Sequence, residues 1–313
     1  MPGNRVCIAL GGNALLRRGA EDTIEEMRAS ARFAAERIAD IAQAGWEVVV
    51  THGNGPQVGR ILLQNEAASA YVSPMPLDVC GAESQGQIGY MLQVTIGDVF
   101  FERDMERPVV TILTLTRVPK DDPAFANPTK FVGPYYEQDE AERLAADRGY
   151  VMKPDPHGGW RRVVPSPTPY SIVETPAIER LVGAGVIVIA SGGGGVPVYE
   201  DGPLLVGVEG VVDKDLAASI LAREADAEVL LILTDVKHVQ RGYGTERAQD
   251  IERLTPQEVH ELLAAGEFGA GSMGPKIEAA CQFVESDGRR RAVIADLADA
   301  LEALGGLAGT TIA

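Results

Sequence analysis

An α/β fold with a mainly parallel sheet and helices on both faces is predicted by three features of the chain. Apolar runs of strand length alternate with stretches of helical periodicity, the pattern of strand–helix–strand crossovers. Polar, glycine-rich turns follow several of those runs, where open α/β sheets bind ligands. The 313 residues are 45% hydrophobic, enough for one large α/β domain or two lobes with an ordinary core.

The elements follow in order. "RVCIAL" (5–10) reads as a buried strand ending in the turn Gly11-Gly12-Asn13. A helical stretch covers about 22–44 and closes at Gly45; "WEVVVTH" is the next strand, ending in "GNGP". Helices are expected over about 57–70 and 83–104, and "PVVTILTLTRV" reads as a third strand. The pattern then breaks. Residues 118–170 hold nine of the nineteen prolines and four of the eight tyrosines, with helical periodicity only around 137–148. Because "GGWRRVVPSP" is still strand-like, this segment reads as an inserted subdomain and not as a linker.

Alternation resumes at Thr175. "GVIVIASGGGG" is a strand and a glycine loop, "LLVGVEG" a strand, "DKDLAASILAREA" a helix and "EVLLILTDV" a strand. After Thr255 come two helices, the strand "RRAVIA", a helix from about 296 and a short strand near "TTIA".

Composition excludes several function classes. The net charge of −17 repels nucleic acid and anionic membranes, so any phosphate site must be built locally. No run of about 18 apolar residues occurs, so no membrane span is expected. The N-terminus lacks the pattern of a signal peptide, and a reducing cytoplasm is the expected compartment. Cys7, Cys80 and Cys281 are far apart and form no CxxC, so neither a disulfide framework nor a zinc knuckle is indicated. His52, His157, His238 and His260 show no metal spacing. There is no Walker motif, and no GxGxxG follows the first strand.

The chemistry concentrates at strand ends and helix starts. Gly11-Gly12-Asn13, Gly53-Asn54-Gly55, Gly192–Gly195 and Asp235 occupy corresponding positions after four strands, as a backbone-lined anion site would require. Lysine is rare, with six in the chain: 120, 130, 153, 214, 237 and 276. Two of them, Lys214 and Lys276, fall at helix starts, where the positive end of the dipole disfavours a cation by about 0.3–1 kcal/mol. Asp213 and Asp215 flank Lys214, but no acid lies within four residues before Lys276, so an external anion is its expected partner. Two helix ends, two lysines and glycine turns suit phosphoryl transfer, which needs cations placed around a moving phosphate.

The segments "ALGGNAL", "THGNGPQVG", "GAESQGQIGY", "NPTKFVGPYY", "GGWRRVVPSP", "ASGGGGVPV", "GVEGVVDKDLAA" and "GSMGPK" together resemble the carbamate kinases, a branch of the amino acid kinase family. The resemblance runs in matching order from residue 6 to about 280. It implies a three-layer αβα sandwich with a mainly parallel open sheet. An N-lobe (1–180) would take carbamate or carbamoyl phosphate, with an inserted lid at about 118–170; a C-lobe (181–313) would take the nucleotide. It further implies Mg²⁺ with ATP or ADP, a homodimer, and reversible phosphoryl transfer between ATP and carbamate, used to make ATP in arginine or purine breakdown. Position by position, Gly11, Gly12, Asn13, Gly53 and Asn54 match the substrate turns. Lys130, Lys214, Asp215 and Lys276 match the catalytic set. Gly193, Gly194, Asp213, Lys214, Thr234, Asp235, Tyr243, Ser272, Met273 and Lys276 match the nucleotide side, with Mg²⁺ held mainly by phosphates and not by protein ligands.

Two departures from related kinases stand out. Ala9-Leu10 occupies the place where many amino acid kinases carry a lysine; carbamate kinases lack that lysine too, which shifts weight to Lys130. Lys237 stands where related kinases often have an acid. Two other readings stay open on the residues alone: another small-anion kinase on this scaffold, and a nucleotide-binding protein without catalysis. The full set of Lys214, Asp215 and Lys276 weighs against the second.

Overall fold

The computed structural model describes residues 4–12, 23–156, 158–268 and 273–313. Strand β1 (Arg5–Leu10) leads to α1 (Ile24–Gln43), where Thr23 caps the helix by accepting from the Glu26 amide. Then come β2 (Glu47–His52), α2 (Gly55–Ala67) and α3 (Leu77–Glu102). The run expected as one strand splits into β3 (Val109–Thr111) and β4 (Leu115–Arg117), which belong to different sheets. Between them Thr114 is fully buried and held off the ladder by the Gln85 side chain, which bonds its amide at 2.9 Å and its carbonyl at 3.1 Å. Helix α3 also begins at Leu77, six residues before the expected start at about 83. Its glycines lower helix propensity, but Gly89 is needed: a Cβ there would stand 2.2 Å from Thr111 Cγ2.

The proline-rich segment carries its own antiparallel sheet, ordered β5 (Lys130–Tyr136), β7 (Trp160–Val164), β6 (Met152–Pro154), with α4 (Gln138–Arg148). The short β8 (Ser171–Ile172) precedes α5 (Thr175–Gly183) and β9 (Ile187–Ile189). Strand β10 (Val196–Asp201), which the sequence reading lacks, pairs with β4 and with β11 (Leu204–Gly207). After α6 (Lys214–Glu224) and β12 (Val229–Thr234) comes a second unexpected hairpin, β13 (Val239–Arg241) with β14 (Gln249–Ile251). The chain continues through β15 (Arg253–Leu254), α7 (Pro256–Ala264), α8 (Met273–Glu285), β16 (Arg291–Asp296), α9 (Ala300–Leu304) and β17 (Thr310–Ile312). Strands β13 and β14 are short and mainly polar, and β10 carries a proline and follows directly on the glycine turn, so all three take their conformation from ladder partners and not from a strand-like sequence pattern.

Eight strands form the main sheet, in the order β15-β17-β16-β12-β1-β2-β9-β3. All neighbours are parallel except β16 and β17. Side chains of β1 alternate between two cores. Val6, Ile8 and Leu10 pack with α1, α3 and α9 on one face; Cys7 and Ala9 pack with α5, α6, α7 and α8 on the other. Each fully buried large apolar side chain contributes about 1.5–3 kcal/mol. This three-layer αβα arrangement brings the carboxyl ends of β1, β2, β9 and β12 to one edge, where the polar turns gather. One sheet spans both expected lobes, since β9 lies between β2 and β3.

Candidate active site

The turns after β1, β2 and β9 meet tightly. The Gly11 amide donates to Leu233 O at 2.9 Å and the Gly53 amide to Leu10 O at 3.1 Å. Gly193 is left-handed (φ 65°), and a Cβ on it would stand 2.1 Å from Asn54 Nδ2. Only glycine meets both demands. Gly194 is closed against the Val212 carbonyl in the same way, a Cβ there coming to 2.7 Å. Asn54 is itself fixed, donating from Nδ2 to Ser84 Oγ at 2.8 Å. Behind these turns His52 is buried, its Nδ1 2.9 Å from Gly53 O. A carbonyl only accepts, so Nδ1 carries the hydrogen. Burial lowers the His52 pKa to about 4, against the smaller raising effect of that hydrogen bond.

Across the turns stands the N-terminus of α6. Asp213 caps it, accepting from the Asp215 amide at 2.9 Å and the Leu216 amide at 3.4 Å. Lys214 opens the helix and folds back over the β2 turn: a Cβ on Gly53 would meet Lys214 Cδ at 3.2 Å. Its Nζ lies 2.7 Å from Asp215 Oδ1. Lys276, on α8, lies 3.4 Å from Asp215 Oδ2 and is itself buried. Lys276 thus also has a carboxylate partner within the chain, supplied by a residue 61 positions earlier, which the absence of a nearby acid in the sequence did not reveal. Burial depresses the Lys276 pKa and the Lys214 charge depresses it further, while Asp215 offsets part of both. Lys130, at the start of β5, reaches Asp213 Oδ2 at 2.9 Å. Burial would raise the Asp213 carboxyl, but the Lys130 charge, its hydrogen bond and the two capped amides prevail and hold it below the usual range.

These groups line a cavity of about 530 Å³, together with Gly12, Gly53, Asn54 and Gly193. Arg161, which the sequence reading did not single out, also lines it. Its Nε donates to Gly133 O and its Nη1 to Asp155 Oδ2, both at 3.2 Å, and its guanidinium lies 4.9 Å from the Tyr135 ring centre. The signal was present in the Arg-Arg pair of "GGWRRVVPSP", but the strand reading did not say which arginine faces inward. Four cations and two carboxylates line the cavity, so it is locally positive in a chain of charge −17. Counting Asp155 behind Arg161 leaves the balance positive.

Other predicted residues sit apart from this cavity wall. Thr234 ends β12 and Asp235 follows it, their side chains 3.2 Å apart. Tyr243 is 75% exposed beyond β13, and Met273 is half-buried against the second core. Asn13 and Ser272 lie outside the described residues.

A glycine-lined, cation-rich cleft at the carboxyl edge of a parallel sheet defines a phosphotransferase site. The model of the amino acid kinase family matches residues 4–296. The carbamate kinase of Pyrococcus furiosus is 51% identical over 312 residues, 99% of each chain, and that of Halobacterium salinarum 49% identical over 97% of each. A solved carbamate kinase from Giardia lamblia, bound to AMP-PNP, superposes with a TM-score of 0.94 at 43% identity, covering 99% of this chain and 98% of the other. A UMP kinase from Bacillus anthracis, at 16% identity and a TM-score of 0.55, shares the fold alone. The chain belongs to the amino acid kinase family, in its carbamate kinase branch. Its reaction is phosphoryl transfer between ATP and carbamate, giving ADP and carbamoyl phosphate.

Proposed function

We propose that the cleft works as follows. Carbamate, or the carbamoyl end of its phosphate, sits on the backbone turns Gly11–Asn13 and Gly53-Asn54. The nucleotide approaches from the C-terminal half, over Gly193, Gly194, Asp213 and the Thr234-Asp235, Tyr243 and Ser272-Met273 segments. The AMP-PNP carried by the Giardia relative supports a nucleotide on this scaffold. Lys214 and Lys276 stabilise the charge on the moving phosphoryl group, and Asp215 holds both in place beforehand. The observation that carries this reading is the shared carboxylate between the two lysines.

Mg²⁺ fits this cleft as a companion of the phosphates. Both lining carboxylates are already held by lysines, so phosphate oxygens would supply most of its ligands, and an ion held there would supply charge neutralisation. The 118–170 segment acts as a lid bringing Lys130 to the substrate, between an N-lobe (1–180) and a C-lobe (181–313). The chain forms a two-fold dimer through the outer face of α3, works in the cytoplasm, and runs toward ATP.

A coupled assay of ATP formation from ADP and carbamoyl phosphate with Mg²⁺ tests the reading. Turnover above the spontaneous decay of carbamoyl phosphate is expected, and its absence overturns the assignment.

A further inference from the structure

Away from the cleft, three metal-ligating side chains converge among the described residues: His260 on α7, with Cys281 and Glu285 on α8. Their donor atoms all lie within 4.8 Å of one another. His260 Nε2 is 2.8 Å from Glu285 Oε1 and 3.8 Å from Cys281 Sγ. Phosphoryl transfer uses none of the three.

The sequence spacing hid this group because its members come from two helices. Cys281 and Glu285 are four apart and share one face of α8. His260 is brought opposite by α7, whose start is held by the Thr255–Glu258 capping box and whose Val259 is fully buried in the core. The backbones of all three are therefore set by packing that does not depend on a ligand.

The chemistry of the set is selective. One sulfur, one imidazole nitrogen and one carboxylate oxygen suit a tetrahedral zinc-type ion and not Mg²⁺ or Ca²⁺, which take oxygen. With zinc bond lengths of about 2.0–2.3 Å, tetrahedral ligand atoms stand roughly 3.2–3.6 Å apart. The two His260 separations of 2.8 and 3.8 Å straddle that span and the remaining pair lies within 4.8 Å, so side-chain rotations can bring the three atoms to it. Access also fits. The His260 and Glu285 side chains are 59% and 44% exposed, while Cys281 lies buried beneath them. An ion would enter between the outer pair, meet the sulfur at the bottom and keep a fourth position for water.

We propose that His260, Cys281 and Glu285 form a surface site for a divalent ion of the zinc type. On binding, the Cys281 thiol gives its proton to solvent and coordinates as thiolate, and His260 coordinates neutral through Nε2. The ion ties α7 to the helix that carries Lys276, whose Cα lies five residues, or about 7.5 Å of helical rise, before that of Cys281.

The test uses the full chain without an affinity tag, stripped by chelator and titrated with Co²⁺ in the absence of nucleotide and Mg²⁺. One equivalent should bind, with a near-ultraviolet sulfur-to-cobalt charge-transfer band, and Zn²⁺ should displace it. Cys281→Ser should lose the band, while His260→Ala and Glu285→Gln should weaken binding at least tenfold without changing turnover measured with Mg²⁺ and no added Co²⁺ or Zn²⁺. Zn²⁺ should raise the Tm of the native chain more than that of His260→Ala. Absence of the band, its survival in Cys281→Ser, or equal affinity in the native chain and His260→Ala overturns the proposal. Should Cys281→Ser fail to fold, the two exposed positions decide the matter.

Discussion

Lys276 Nζ lies 3.4 Å from Asp215 Oδ2, on a carboxylate whose other oxygen is held by Lys214 at 2.7 Å. One acid thus gathers two cations from two helices before any phosphate arrives. Lys276→Met and Lys214→Met should each lower kcat by about 10²–10³. Each leaves Asp215 with one partner, so both variants should keep the fold. Asp215→Asn instead leaves two neighbouring lysines unshielded in a buried site. It should be the most destabilising of the three, by about 3–5 kcal/mol, with part of the loss recovered on adding ADP. Thermal melts of the three variants check the order; an Asp215→Asn chain as stable as the native one would refute the shared-carboxylate role.

The depressed Lys276 pKa has opposite consequences for activity and stability. Burial and Lys214 lower it below the ordinary 10.5. As pH rises through that lowered value the charge is lost, so kcat/KM should fall on the alkaline side earlier than an ordinary lysine would allow. The unfolded chain still binds the proton there, so this residue's contribution to stability should rise with pH up to 10.5. Activity profiles of the native chain and Lys276→Met, the latter lacking this alkaline limb, check the assignment.

His52 should make the fold acid-sensitive. Its pKa falls from 6.5 to about 4 in the folded chain, so between those values the unfolded state binds the additional proton. Stability should therefore decrease as pH drops through that window, with a slope of up to about 1.4 kcal/mol per pH unit. Denaturant melts of His52→Gln should show a flatter dependence from pH 6.5 to 4.

Gly193→Ala joins an unfavourable left-handed backbone to a clash with Asn54. The backbone alone costs about 1–2 kcal/mol. The larger effect should be on the turn: displacing Asn54 should raise KM for carbamoyl phosphate severalfold, with KM for ADP less changed. Steady-state kinetics with each substrate varied separates the two.

Lys130 is 45% exposed at its side chain, so its bond to Asp213 adds little stability. Lys130→Ala should melt within a degree or two of the native chain and bind ADP with nearly unchanged affinity. Its kcat should fall at least tenfold. Normal kcat would make Lys130 a solvated surface residue and remove the lid role.

The outer face of α3 exposes Tyr90 (64%), Val94 (46%) and Phe101 (85%). Single exposed apolar residues are ordinary, but several on one helix mark a contact surface. Light scattering should give twice the 33.2 kDa chain mass, and Phe101→Glu should shift it toward one. A native chain that is only monomeric at micromolar concentration would refute the dimer.

Most of the local structure was legible in the sequence, because it rests on interactions between near neighbours. Apolar runs such as "RVCIAL" and "VLLILT" became central strands because both sheet faces are covered. The helix begun at Lys214 was legible because Leu216, Ala217, Ile220 and Leu221 fall at helical spacing. The glycine turns announced themselves because their backbone conformations and close approaches exclude other residues. The aspartate next to Lys214 could be read as its partner for the same reason: it is one residue away.

Only the tertiary structure decided what depends on distant pairing. It split "PVVTILTLTRV" between two sheets, where Gln85 on helix α3 captures the Thr114 backbone. It turned Arg161 toward the cavity, gave Lys276 the Asp215 carboxylate as a partner within the chain, and set His260 beside Cys281 and Glu285. Local propensity and periodicity act over a few residues, whereas a shared carboxylate or a three-ligand cluster depends on which helices the sheet order brings side by side. Charge pairing and coordination fall off within a few ångströms, so chemistry at this site is set by contacts that no spacing along the chain specifies.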